Sequence, residues 1–189
     1  MFPTINGFWG LSGRETRRIK SFLVLPRFFE EAEQPGDRVM AGLFYEEFEV
    51  GRVFEHAWSR TVTEMDNVLF SCLTLNVQPL HIDSDFAAKT EFGKPLVNSL
   101  FTLGLLIGMT VNDTTIGTTV GNLGMREVTF PNPVFHGDTI RARTTVLDTR
   151  ESKSRPNAGL VEFEHVAVKQ TGDAVCRCVR TAMMRRKAE

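Results

Sequence analysis

The run from Leu96 to Ile107 constrains this chain more than any other stretch. Leu96, Val97, Leu100, Phe101, Leu103, Leu105, Leu106 and Ile107 put apolar side chains on nearly every side of a helix drawn through them. A helix that is apolar all round has to be enclosed by protein. Pro95 suits the first turn of such a helix, and the spacing predicts that it continues to about Val111. A membrane span needs roughly 20 consecutive apolar residues, whereas Thr102, Gly104 and Gly108 interrupt this run. Strand-like alternation then fills 121–130, 139–149, 160–170 and 174–185, with Thr171-Gly172-Asp173 as a hairpin turn between the last two. One buried helix followed by an antiparallel sheet predicts an α+β fold with the sheet curled around the helix.

Upstream, Phe54, His56, Trp58, Arg60 and Val62 alternate with Val53, Glu55, Ala57, Ser59 and Thr61, a further strand pattern. Thr63-x-x-Asp66 opens an apolar run containing Val68, Leu69, Phe70 and Leu73, the signature of a capped helix. Pro79 ends that segment, and Asp83 or Ser84 can cap a short helix through Lys89. Residues 1–39 read as a separate, poorly ordered N-terminal extension ahead of a domain spanning 40–189. Their Arg14–Lys20 stretch has the basic character of a transit peptide, but Glu30, Glu31 and Glu33 follow at once and no cleavage pattern is clear.

A formal net charge of −1 gives no reason to expect nucleic acid or an anionic membrane as partner. Three cysteines make neither a disulfide framework nor a zinc pattern, and Cys176 and Cys178 point the same way on a strand, which reads as packing. Metal is therefore not expected, and reduced thiols fit a cytoplasmic setting. Fifteen phenylalanines against one tyrosine favour dry burial. The chain has no G-x-S-x-G, Walker loop, H-E-x-x-H or C-x-x-C, so serine hydrolase, nucleotide phosphatase, zinc peptidase and thiol redox readings lack support.

The chemistry concentrates at L-N-V-Q-P-L-H-I-D, Leu75 to Asp83, with D-F-A-A close behind. A histidine beside a helix-prone run at a pocket mouth suits proton transfer near neutral pH. The block resembles the signature of the MaoC-like and (R)-specific enoyl-CoA hydratases, roughly D-x-N-P-x-H-x-D. The likeness continues through P-L-V-N-S-L-F (Pro95 to Phe101) and P-V-F-H-G-D (Pro133 to Asp138), and covers about 42–186. It implies a hot-dog fold, an acyl-CoA substrate, no cofactor beyond the coenzyme A of that substrate, and a homodimer. With Asn76 and Asn98-Ser99, the chain resembles single-domain members acting on short branched dicarboxylic acyl-CoAs such as itaconyl-CoA or mesaconyl-CoA. Two departures stand out. Asn76 occupies a position where the family usually has Asp, and Asn98-Ser99 replaces His-Gly. A neutral amide cannot take a proton from water, which leaves His81 as the titrating member.

The resemblance gives His81 the proton transfer and Asn76 the holding of water or a substrate oxygen. The N–H groups of Val97, Asn98, Ser99 and Leu100, with the Ser99 hydroxyl, become the candidate oxyanion hole at a helix start. Arg126, then Arg60, is the cation for a substrate carboxylate. Lys153 and Arg155 in R-E-S-K-S-R-P are candidate coenzyme A contacts, with Gly121 and Asn122, whose G-N-L-G is not a dinucleotide fingerprint. Each has a plainer alternative: a satisfied core histidine, a helix C-cap for Asn76, close helix packing for Asn98 and Ser99, solvated strands and loops for the cations. His136 reads as a turn residue beside Gly137 and Asp138, and His56 and His165 as core or dimer-face residues. Hydration competes with a hot-dog thioesterase and with a catalytically silent acyl-CoA-binding protein.

Overall fold

The computed structural model describes residues 42–188, so the extension expected over 1–39 lies outside the described residues. Strand β1, Val53–Thr61, leads into helix α1, Glu64–Leu73. Thr63 and Asp66 form the capping box that their spacing predicts: the Thr63 hydroxyl accepts from Asp66 N–H, and the Asp66 carboxylate accepts from Thr63 N–H. The chain leaves α1 through Leu75 at φ 58°, a left-handed conformation that glycine or asparagine usually takes. Thr74 is the C-cap; Asn76 lies beyond it, which corrects the C-cap reading of that residue.

Pro79 opens a short helix rather than ending one: α2 is Pro79–Ile82 and α3 is Ser84–Ala87. The Asp83 carboxylate caps α3 by accepting from Phe86 N–H at 3.0 Å. Helix α4, Ser99–Thr114, starts four residues after Pro95 and runs past Val111. Leu96 is held in a bridge to Phe135, and Asn98 caps α4 by accepting from Leu100 N–H at 3.0 Å.

Four strands follow: β2 Thr119–Thr129, β3 Thr139–Glu151, β4 Ala158–Lys169 and β5 Ala174–Arg185. They pair antiparallel with β1 in the order β1-β3-β4-β5-β2. Gly172, at φ 89°, makes the predicted turn between β4 and β5. Leu106 and Met109 of α4 pack on Ile140, Ala142, Ala167, Cys176 and Cys178 of the sheet. Burial pushes the Cys176 thiol up to about 12, so this pair is packing material and not a reactive thiol.

Within one chain α4 is not enclosed. Leu100 is 57% exposed, Gly104 and Gly108 face outward, and Leu103, Leu105 and Ile107 are only partly buried. The edge strand β2 carries further exposed apolar residues: Val120, Leu123, Met125 and Val128.

A buried polar chain crosses the sheet on the α4 side. His56 Nδ1–H donates to Asp113 at 2.8 Å, and the Thr144 hydroxyl lies 2.8 Å from both His56 Nε2 and His165 Nδ1. His165 is fully buried. Burial, with help from the nearby Arg180 and His56 charges, pushes it down to about 2. Both strand histidines are therefore core residues.

Candidate functional site

The site starts from one amide. Asn67 lies on α1, fully buried. Its Nδ2 donates to the His81 carbonyl at 2.9 Å and the Leu96 carbonyl at 3.1 Å, and lies 3.1 Å from His136 Nε2. Its Oδ1 accepts from Asn98 N–H at 2.8 Å. Carbonyls only accept and a backbone N–H only donates, so these partners fix which end of the amide is which. Asn67 thus joins α2, the 96–98 segment and the 135–138 turn. Sequence reasoning missed it; the available signal was an amide next to the apolar run Val68-Leu69-Phe70.

His81 is half-buried on α2, and its Nδ1 lies 2.8 Å from the Leu96 carbonyl. Because that oxygen can only accept, Nδ1 carries the proton and neutral Nε2 presents a lone pair. Three of the four candidate oxyanion donors are already engaged. Val97 N–H donates to the Val134 carbonyl at 2.9 Å, Asn98 N–H to Asn67, and Leu100 N–H to the Asn98 side chain. Ser99 N–H is unengaged among the described residues, as is Phe101 N–H deeper in the first turn. Ser99 also lines a cavity of about 270 Å³ with Leu96, Thr102, Phe130, Val134 and Val175. This corrects the four-donor reading: the Asn98 side chain is spent as the cap of α4, and the donor left at the cavity is Ser99.

Asn76 is exposed two residues before α2's N-cap, and its side chain makes no hydrogen bond among the described residues. Arg126 is not brought to this site. It pairs with Glu127 and, at 3.0 Å, with Glu162. Residues alternate along a strand, and Val161 and Phe163 face the core, so Glu162 and Arg126 occupy the opposite face of the sheet. Arg60 is half-exposed and pairs with Asp66 beside a separate cavity of about 250 Å³ lined by Trp58, Leu105 and Gly108.

Arg155 lines a cleft of about 840 Å³ with Val120, Arg185, Arg186 and Lys187, and Gly121 and Asn122 follow Val120 along β2; Lys153 is exposed. Val175 at the Ser99 cavity and Arg185 at this cleft stand near opposite ends of β5, roughly 33 Å apart at strand rise. His136 serves the predicted turn, where Gly137 has φ 94° and Asp138 accepts from Phe135 N–H, and it also touches Asn67. Among the described residues, no cluster of three His, Cys, Asp or Glu could hold a metal, and no helix is long and apolar enough to cross a membrane.

An antiparallel five-stranded sheet packed on one central helix defines a hot-dog α+β protein. A Mycobacterium tuberculosis protein described as having a double hotdog fold matches it with a TM-score of 0.71 at 24% identity, over 78% of this chain and 46% of that one. Residues 47–169 match the family described as MaoC like domain, and the chain belongs to that family. It is 33% identical over 147 residues to a mesaconyl-CoA hydratase of Cereibacter sphaeroides, covering 78% of this chain and 42% of the relative. Against an (R)-specific enoyl-CoA hydratase of Aeromonas caviae it is 33% identical over 115 residues, covering 57% of this chain and 80% of that protein. A solved MaoC domain dehydratase of Chloroflexus aurantiacus, described as putative, superposes with a TM-score of 0.73 at 29% identity, over 78% of this chain and 41% of that one. The chain thus spans less than half the length of the mesaconyl-CoA hydratase it resembles.

Proposed function

We propose that this chain adds water reversibly across the double bond of a short 2-enoyl-CoA. The observation that carries the reading is the His81 hydrogen bond to the Leu96 carbonyl, which leaves Nε2 as a base on a ring anchored three residues before the unengaged Ser99 N–H. Water attacks the β-carbon as Nε2 takes its proton, with Asn76 holding the water. The electron pair moves onto the thioester oxygen, where Ser99 N–H and the positive end of α4 stabilise the enolate charge. The imidazolium then returns a proton to the α-carbon, so the hydroxyl and hydrogen add from one side and His81 is regenerated.

A branched dicarboxylic acyl group of the itaconyl or mesaconyl type is the finer reading, supported by the likeness to a mesaconyl-CoA hydratase and by the polar Ser99 and Thr102 in the cavity wall. The ion pairs at Arg126 and Arg60 remove the support those residues would lend it. The cationic cleft at Arg155 is the candidate for coenzyme A phosphates. A second copy, pairing along β2, is the candidate cover for the bare side of α4 and the exposed sheet edge.

The test follows enoyl absorbance and free-thiol release together with crotonyl-, itaconyl- and mesaconyl-CoA. Hydration removes absorbance without releasing thiol. His81→Ala lowers kcat by at least about 10²-fold. Thiol release would establish a thioesterase, and binding without either signal a silent acyl-CoA binder.

A further inference from the structure

The geometry points to Asn67 as a positioning residue that sets the base and the oxyanion donor in one frame. This inference rests on the reading of His81 and Ser99 given above. Neither group is anchored by its own helix: α2 is a single turn of four residues, and Ser99 is the first residue of α4. Their relative placement depends on what crosses between the two segments. The Leu96 carbonyl is the acceptor that orients the His81 ring, and Asn67 Nδ2 donates to that same carbonyl. Nδ2 also donates to His81's own carbonyl, while Oδ1 holds Asn98 N–H at the residue before Ser99. One buried side chain therefore grips the base's backbone, the base's acceptor and the entry to the oxyanion helix.

The supply of hydrogens makes the arrangement sensitive. Nδ2 has two hydrogens facing three acceptors, the carbonyls of His81 and Leu96 and the ring nitrogen of His136. A buried network so closely matched leaves acceptors unpaired when one donor is lost. Asn67→Asp keeps the shape and the acceptor for Asn98 N–H but removes both hydrogens. Asn67→Ala removes all four contacts. In either variant the His81 and Leu96 carbonyls lose their shared anchor, so the ring and its acceptor shift relative to each other and the Nδ1–H tautomer is less strictly held.

The experiment uses the full chain as Asn67→Asp, Asn67→Ala, and Val161→Ala, a fully buried core truncation remote from the site that controls for lost stability. kcat and KM are measured with crotonyl-CoA and mesaconyl-CoA, and imidazole nitrogen NMR shifts report the His81 tautomer. The expected result is a fall in kcat of about 10- to 100-fold in both Asn67 variants with KM changed by less than about threefold. The His81 signals move from the Nδ1–H tautomer to a mixture. Val161→Ala keeps both kcat and tautomer. Unchanged kcat and tautomer in Asn67→Asp would overturn the inference, as would an equal loss in Val161→Ala. Full activity in His81→Ala overturns the reading of His81 instead, and the tautomer measurement still decides whether Asn67 fixes the ring.

Discussion

His165 should make this protein acid-sensitive in a measurable way. The ring is fully buried, and burial holds it near 2, against 6.5 for the free side chain. Above pH 6.5 neither the folded nor the unfolded chain protonates it, and it has no effect on stability. Below 6.5 the unfolded chain takes a proton that the folded chain refuses. Stability therefore falls with falling pH from 6.5 down to about 2. At 1.36 kcal/mol per pH unit, the loss between pH 7 and pH 5 is about 2 kcal/mol. The assay is urea unfolding at those two pH values and one fixed protein concentration, for the unmodified chain and for His165→Asn, whose amide can still reach Thr144. The cavity left by the smaller side chain lowers stability at both pH values alike and cancels in the comparison. About 2 kcal/mol of the acid-induced loss should disappear in the variant. Identical losses in the two proteins would show that this ring does not stay neutral when folded.

Asn98→Ala removes the cap of α4, and urea unfolding should show a loss of about 0.5 to 2 kcal/mol, the range for a lost side-chain N-cap; a change within error would mean that Leu100 N–H finds another acceptor. Leu123→Lys with Val128→Lys places two charges on the exposed edge of β2. Light scattering at micromolar concentration should then report a dimer for the unmodified chain and a monomer for the variant, and an active unmodified monomer would refute β2 as the pairing edge.

Most of the fold is legible in the sequence because it follows from period. The four strands after α4 fall within about two residues of their expected bounds, and the Thr63–Asp66 box begins α1 where its spacing says. The start of α4 is not legible, because Pro95 is only compatible with a first turn, whereas Asn98 supplies the cap. The need for cover on α4 is legible, but its source is not. An apolar surface demands cover, but a single sequence does not say which molecule supplies it. At the candidate site, the motif around His81 is legible in the sequence. Asn67 is not, since its role depends on carbonyls 14 and 29 residues away. The arginines failed for a related reason: Arg126 and Arg60 look free in sequence, and their carboxylate partners are supplied by folding.

The exchange of His-Gly for Asn98-Ser99 gains a physical sense once the hydrogen bonds from 96 to 101 are accounted for. Leu96 N–H goes to the Leu80 carbonyl, Val97 N–H to Val134, Asn98 N–H to Asn67, and Leu100 N–H to Asn98. The Leu96 carbonyl is taken by His81 and Asn67, and the Asn98 carbonyl accepts from Thr102 N–H at 3.2 Å. Among the described residues, only the N–H groups of Ser99 and Phe101 remain unengaged. A helix ordinarily leaves its first four N–H groups open, and four open donors would hold water in several arrangements. Two neutral amides, Asn67 and Asn98, close part of that set and leave Ser99 N–H at the cavity wall. Neutrality matters here. A titrating side chain at position 98 would make the cap, and with it the geometry of Ser99, depend on pH, whereas an amide keeps the donor fixed, so that in the proposed reaction only His81 would change charge.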